Sequence, residues 1–317
     1  MDVYLDEGIR MCRGQLDAYD TFVRNAFAPY AMTAPGGSRF AVHVLAEQDC
    51  SASLNCANSS GARITTDLGQ YHELMHGIQW TVDGRSIASL EEGTAEAFGP
   101  FAPTALSADA LADTDREEVI ANDARNLDYS AAAVFARFLI DRHGLSSFRS
   151  FYRSARQSDS TENYAQVFAE SFDETLDASW SVFVSSSRCA FDLWYCQLGD
   201  MVQLPLEVSG MDCEDTSTFG FDAGMLERET EPLRRVHTFS VDSGDGQMVT
   251  IGLQNVDIYL GSCGSCEYFP EGALLSSGKA NGQPPLSVDV TLPPGITAFV
   301  VRARPGGDPY VHIAPKG

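Results

Sequence analysis

The chain has 317 residues, 44% of them apolar, which is enough for two hydrophobic cores, and it carries 44 acidic against 21 basic residues for a net charge of −23. That balance argues against nucleic acid as a partner, since a polyanion would be repelled over most of the surface. No stretch is long and apolar enough to span a membrane, and eight cysteines point to an oxidising, extracellular setting.

The first thirty residues are charged and amphipathic without a continuous apolar run, so no signal peptide is expected within this sequence. Residues 3–5 and 40–45 read as strands of a small sheet, with a helix over 16–27 between them. His43 simply alternates within the second of these strands. Cys50 and Cys56 bracket a Ser/Asn-rich loop and are expected to bridge, while Cys12 and Cys213 can pair with each other or exchange with other cysteines. Residues 63–66 read as a short strand, after which Thr66 or Asp67 can cap a helix.

That helix carries His72-Glu73-Leu74-Met75-His76. Imidazoles four residues apart on a helix share one face, where both can hold one metal ion, and Glu73 then lies beside the metal rather than on it. Two neutral nitrogen ligands, an open position for water and an adjacent carboxylate base are the parts of a zinc hydrolase. Asp83-Gly84 signals the end of the helix.

Fifteen residues separate His76 from Glu92, enough for a loop and an antiparallel return. The segment Leu90-Glu91-Glu92-Gly93-Thr94-Ala95-Glu96 places Glu92 and Glu96 one helical turn apart on one face. Glu92 is assigned to the metal, and Glu96 to the free nitrogen of a ligating histidine. Glu91 and Glu96 stand as alternative third ligands.

Taken together, His72 to His76 and the Glu92-Gly93-Thr94-Ala95 segment resemble the gluzincin metallopeptidases, the clan of thermolysin and of aminopeptidases with a Glu-Gly-x-Ala sequence after the zinc helix. The resemblance implies a Zn²⁺ held by His72, His76 and Glu92, with Glu73 as general base. The gap between the two helices is shorter than in the larger gluzincins, which implies a trimmed catalytic domain. A metzincin would need Gly in place of Gln79 and His in place of Val82, and an aspzincin would need an Asp where Phe98 stands.

Residues 129–144 read as an Ala-rich helix ending in Arg142, His143 and Gly144, and Phe148, Phe151, Tyr152 and a stretch from Tyr164 to Phe183 including Trp180 follow it. Compact gluzincins carry a similar helix and tail. By that resemblance Tyr129 is the candidate to hydrogen-bond the tetrahedral intermediate, with a core aromatic as its other reading. His143 is the alternative for that role, or else a cation at the helix C-terminus.

Past about residue 200 the texture changes to short β-type runs separated by Gly, Pro, Asp and Ser: residues 236–241, 248–253, 257–260, 286–292, 298–303 and 310–313. Their pattern resembles the pre-peptidase C-terminal domains of secreted bacterial peptidases. Asp242, Asp245 and Asp257 are read as turn and strand-end residues, with calcium binding as the other reading. Cys263-Gly-Ser-Cys266 is read as structural disulfide rather than redox chemistry, and Cys189 with Cys196 as a further pair.

The expectation is therefore an α+β chain: a gluzincin-like domain over residues 1–200, with a small sheet followed by helices, and a β-sandwich over 201–317. The expected activity is zinc-dependent hydrolysis of peptide bonds by a secreted, monomeric enzyme. Endopeptidase action is favoured because no Gly-x-Met-Glu-Asn segment precedes the zinc helix to capture a terminal amine. The alternative is an inactive secreted protein that keeps a metal site for stability while its β domain binds a partner.

Overall fold

The computed structural model describes residues 2–27, 41–45, 56–58, 61–64, 69–99, 104–156, 160–190, 200–222, 235–263, 274–276, 285–304 and 308–316. The chain opens with β1 (Asp2–Leu5), β2 (Arg10–Met11), α1 (Gln15–Phe27), β3 (Ala41–Val44), β4 (Cys56–Asn58) and β5 (Gly61–Ile64). Strands β1, β3 and β5 run parallel, and β4 closes the edge antiparallel to β5. Parallel neighbours need a long crossover, and the segment containing α1 supplies it between β1 and β3. Val42 and Val44 bury themselves against Tyr19 and Phe22 of α1 and against Tyr71, Leu74, Met75 and Ile78 of α2 (Gly69–Val82). His43, on the alternate phase of β3, stacks on Tyr4. The proposed caps Thr66 and Asp67 lie outside the described residues.

After α2 come α3 (Ala88–Phe98), β6 (Thr104–Leu106), α4 (Ala108–Ala112), α5 (Arg116–Val119), α6 (Tyr129–His143), α7 (Leu145–Ala155), α8 (Thr161–Phe172), α9 (Leu176–Phe183) and β7 (Arg188–Ala190). Local chemistry sets the ends. The Asp128 carboxylate accepts from the Ala131 amide at 2.9 Å to start α6, and Gly144 takes φ +82° to end it, a conformation costly for any residue with a Cβ. Phe135, Phe138, Phe148, Phe151, Phe168 and Phe183 build the core beneath these helices. Strands β6 and β7 pair antiparallel, so a short ribbon interrupts the helical part, with β6 between α3 and α4 and β7 after α9.

Helix α3 is buried along nearly its whole length because small residues let its neighbours come close. A Cβ on Gly93 would lie 2.7 Å from the Ala132 carbonyl oxygen of α6, and one on Gly99 would lie 2.5 Å from the Tyr71 carbonyl of α2. Helix α2 ends where expected, at Gly84 with φ +79°. Next to it, buried Asp83 accepts hydrogen bonds from both Arg149 and Arg153, tying the end of α2 to α7.

The remaining strands are β8 (Asp200–Val202), β9 (Leu206–Ser209), β10 (Thr218–Asp222), β11 (Arg235–Asp242), β12 (Gln247–Gln254), β13 (Val256–Ser262), β14 (Leu274–Ser276), β15 (Leu286–Leu292), β16 (Ile296–Ala303) and β17 (Tyr310–Pro315). One sheet runs β14-β13-β16-β11-β10-β2, with β8 also on β11, and the other runs β15-β12-β17-β9. Alternate residues of β12, Val249, Ile251 and Leu253, join Phe239, Ile258, Leu260, Phe299, Val301, Val311 and Ile313 in a core drawn from both sheets. The architecture is mixed, with helices and antiparallel sheets largely segregated along the chain, which is α+β.

The two halves interlock. Strand β2 pairs with β10, Arg10 bonds Glu214 and Asp222, Phe221 enters the core under α2, and the Gly220 amide donates to the buried Gln15 side chain. The boundary expected after residue 200 falls inside β8. Cys12 and Cys213 form a disulfide across this junction, closing 201 residues of chain. Cys56, Cys189 and Cys263 are also disulfide-bonded, with partners outside the described residues, as are the expected partners Cys50, Cys196 and Cys266. Replacing Cys12 and Cys213 together by Ser is expected to cost about 2–5 kcal/mol, because the unfolded chain regains the freedom of a very long loop. Chemical denaturation under non-reducing conditions reads this, and an unchanged midpoint would mean that strand pairing alone holds the junction.

Candidate metal centre

Helix α2 presents His72 and His76 on the face that meets α3, and both are almost completely buried. Their Nε2 atoms lie 3.1 Å apart. Glu92 of α3 closes the triangle, its Oε2 3.0 Å from His72 Nε2 and 3.2 Å from His76 Nε2. Behind His72, Glu96 Oε2 lies 3.0 Å from Nδ1 and accepts from the Nδ1–H. That bond leaves the Nε2 of neutral His72 as a bare acceptor. Glu92 is the one partly open member of the triangle, its side chain 21% exposed.

With no proton or metal ion among them, three lone-pair atoms this close repel one another. Tetrahedral zinc with bonds of about 2.0–2.1 Å holds its donors about 3.3–3.4 Å apart, close to the edges of this triangle. The donor chemistry and the spacing therefore fit a divalent cation. Among the described residues, His72, His76 and Glu92 are the one group of His, Cys, Asp and Glu side chains so converged.

The electrostatics show the same demand for positive charge. Burial disfavours protonation of His72, yet its hydrogen bonds to Glu92 and Glu96 outweigh that and lift its pKa to about 10. Burial pushes Glu92 upward, and the two imidazoles reverse this and hold it well below the usual carboxylate range. His76 is held below the ordinary value, chiefly by burial. Glu73 is raised to about 7, first by burial, with the His72 charge opposing and the Glu92 charge assisting.

The structure distinguishes the three acidic candidates on α3. Glu91 turns back to the connection between the helices, accepting from the Ser86 amide at 2.5 Å, and so does not face the imidazole pair. Glu92 faces it, and Glu96 sits on the far nitrogen of His72. Tyr129, at the start of α6, places its ring 6.5 Å from that of His72. Its hydroxyl pKa is pushed up to about 12, by burial first and then by the charges of Glu92, Glu73 and Glu96, so it stays protonated and able to donate.

His143 is a correction as the alternative oxyanion donor. It lies at the other end of α6, about 21 Å away along the axis at 1.5 Å per residue. Its ring stacks on Phe172 at 4.2 Å, its Nε2 lies 3.5 Å from the Glu174 carboxylate, and burial holds its pKa below the ordinary value. Among the described residues Asp242, Asp245 and Asp257 do not converge into a group that could share a calcium ion. Asp257 is consumed by Arg302 and Arg304, while Asp242 accepts from the Gly244 amide in a turn.

One feature of the site escaped the sequence reading. One turn beyond His76, the Trp80 indole stacks on the imidazole at 5.1 Å and 18°, and the Arg85 guanidinium lies 4.1 Å from the Trp80 ring centroid. The signal was the i, i+4 spacing of His76 and Trp80.

No protein-family model and no curated protein matches the chain. Among solved structures it is similar to the pre-peptidase C-terminal domain of a collagenase from Bacillus anthracis, with 13% identity over 37% of this chain and 94% of that one, at a TM-score of 0.23. A likeness so distant says nothing of activity. No helix among the described residues is long and apolar enough to cross a membrane.

Proposed function

We propose that the protein is a secreted zinc-dependent metallopeptidase of gluzincin type, acting as an endopeptidase. One observation carries the reading: two imidazole nitrogens and a carboxylate oxygen from separate helices meet within 3.2 Å, beside a buried glutamate that follows the first histidine. His72, His76 and Glu92 would hold the ion. When bound, zinc supplies Lewis-acid polarisation of a peptide carbonyl and of water.

The chain's own residues do the rest. Glu73 takes the proton of the attacking water and returns it to the leaving amine. Tyr129 donates its hydroxyl hydrogen to the developing oxyanion. Glu96 holds His72 in the tautomer that presents Nε2 to the ion. The Glu73 base is buried and so shielded from bulk water, which strengthens each of these interactions.

Elemental analysis of the full chain, followed by digestion of a diverse peptide library with and without a chelator, tests the reading. One zinc per chain and internal cleavages that stop with chelator and return with added zinc are expected. Absence of bound metal, or cleavage indifferent to the chelator, overturns it. Glu96→Gln is expected to weaken zinc binding about 10- to 100-fold, as loss of an outer partner of a ligating histidine does. Competition against a chelator of known affinity measures that change, and unchanged affinity would remove Glu96 from the centre.

A further inference from the structure

We propose that Trp80, with its indole covered by Arg85, is the positioning residue for His76, fixing the plane of the second imidazole so that its Nε2 meets His72 Nε2 and Glu92 at the metal position. This rests on the metal-centre reading above. A ligating imidazole can rotate about its Cβ–Cγ bond, so each such ring needs a lock, and the usual one is an acceptor on the nitrogen that does not bind metal.

The two histidines differ in this respect. His72 has Glu96 at 3.0 Å from Nδ1. The Nδ1 of His76 is buried and has no hydrogen-bond partner among the described residues. What lies against the His76 ring instead is Trp80, nearly parallel at 18° and 5.1 Å, one helical turn away. A stacked aromatic face restrains ring rotation as a hydrogen bond does, though it leaves sliding within the plane free.

Two further observations favour positioning over plain packing. Trp80 belongs to neither hydrophobic cluster that flanks α2, although it is the largest side chain on the helix. And Arg85, exposed and just past the turn at Gly84, has its guanidinium 4.1 Å from the indole centroid, within reach of a cation–π attraction that restrains the indole in turn. The stack spans α2 and the start of the α2–α3 connection, so the ring carrying one ligand is braced by the segment that leads to the helix carrying Glu92.

The test is zinc affinity of the full-length protein, read by chelator competition for the wild type, Trp80→Ala, Trp80→Phe and Arg85→Ala, with cobalt absorption spectra of the same set and thermal unfolding of each metal-free form. Trp80→Ala is expected to weaken zinc about 10- to 100-fold and to alter the cobalt bands, while Trp80→Phe, which keeps an aromatic face, returns affinity to within about threefold of wild type and restores the spectrum. Arg85→Ala is expected to fall between these. If Trp80→Ala does not fold, Trp80→Phe against Arg85→Ala carries the comparison, with Arg85→Ala the weaker binder. A wild type that binds zinc alongside a folded Trp80→Ala of equal affinity and identical cobalt spectrum overturns the positioning role and leaves the metal centre standing. A wild type that binds no zinc overturns the metal centre itself.

Discussion

Glu73→Gln is expected to keep one zinc per chain while lowering kcat/KM about 10²- to 10⁴-fold, the range that a positioned general base contributes. The reasoning is geometric before it is electrostatic. On α2 Glu73 is one residue past His72, about 100° around the helix, so it cannot add its oxygen to the triangle that His72, His76 and Glu92 complete at 3.0–3.2 Å. Gln fills the same volume in the same buried place but has no lone pair basic enough to take a proton. Elemental analysis and library digestion on one preparation separate the outcomes. Retained turnover would remove Glu73 as the base, and lost metal would make it a ligand. Glu92→Ala makes the opposite split, because two imidazoles alone leave the ion without its third donor and zinc itself should be lost.

How far the sequence reached is clearest on α2 and α3. The i, i+4 imidazoles needed no tertiary information, because a helix alone puts them on one face. Adjacent Glu91 and Glu92 lie about 100° apart, and both fit the spacing from His76; packing chooses between them. Gly93 and Gly99 seat α3 against α6 and α2, and that seating turns Glu92 and Glu96 toward the imidazoles and Glu91 toward Ser86. The β half was legible where a strand ran for six residues or more, as in β12 and β15 by alternation and in β11 and β16 by runs rich in apolar and β-branched residues. It was not legible in β2, β8 and β10, because strands of two to five residues carry too little pattern and their partners lie up to about 200 positions away. The Cys12–Cys213 bridge shares that cause, since nothing local distinguishes it among 105 connectivities of eight cysteines.

Gly93→Ala decides whether close helix packing really sets the metal triangle. Helix propensity alone favours Ala over Gly by about 1 kcal/mol, so if α3 were an ordinary helix the change would stabilise the protein. Here the new methyl would meet the Ala132 carbonyl oxygen at 2.7 Å, its carbon at 3.0 Å and the Ala132 Cβ at 3.3 Å, all of them parts of a rigid, buried helix. Ordinary contact requires α3 to retreat from α6 by roughly 0.5–1 Å, and overpacking of this kind costs about 1–3 kcal/mol, enough to cancel the propensity gain and leave a net loss. Glu92 precedes Gly93 and moves with it, while His72 and His76 stay on α2. A shift of that size exceeds the roughly 0.5 Å that a preorganised site tolerates, so zinc affinity should fall at least about tenfold, out of proportion to the loss of stability. Thermal unfolding of the metal-free protein and chelator competition together read both quantities. A Gly93→Ala protein that melts higher and binds zinc as tightly as the wild type would show that the α3–α6 contact does not position Glu92.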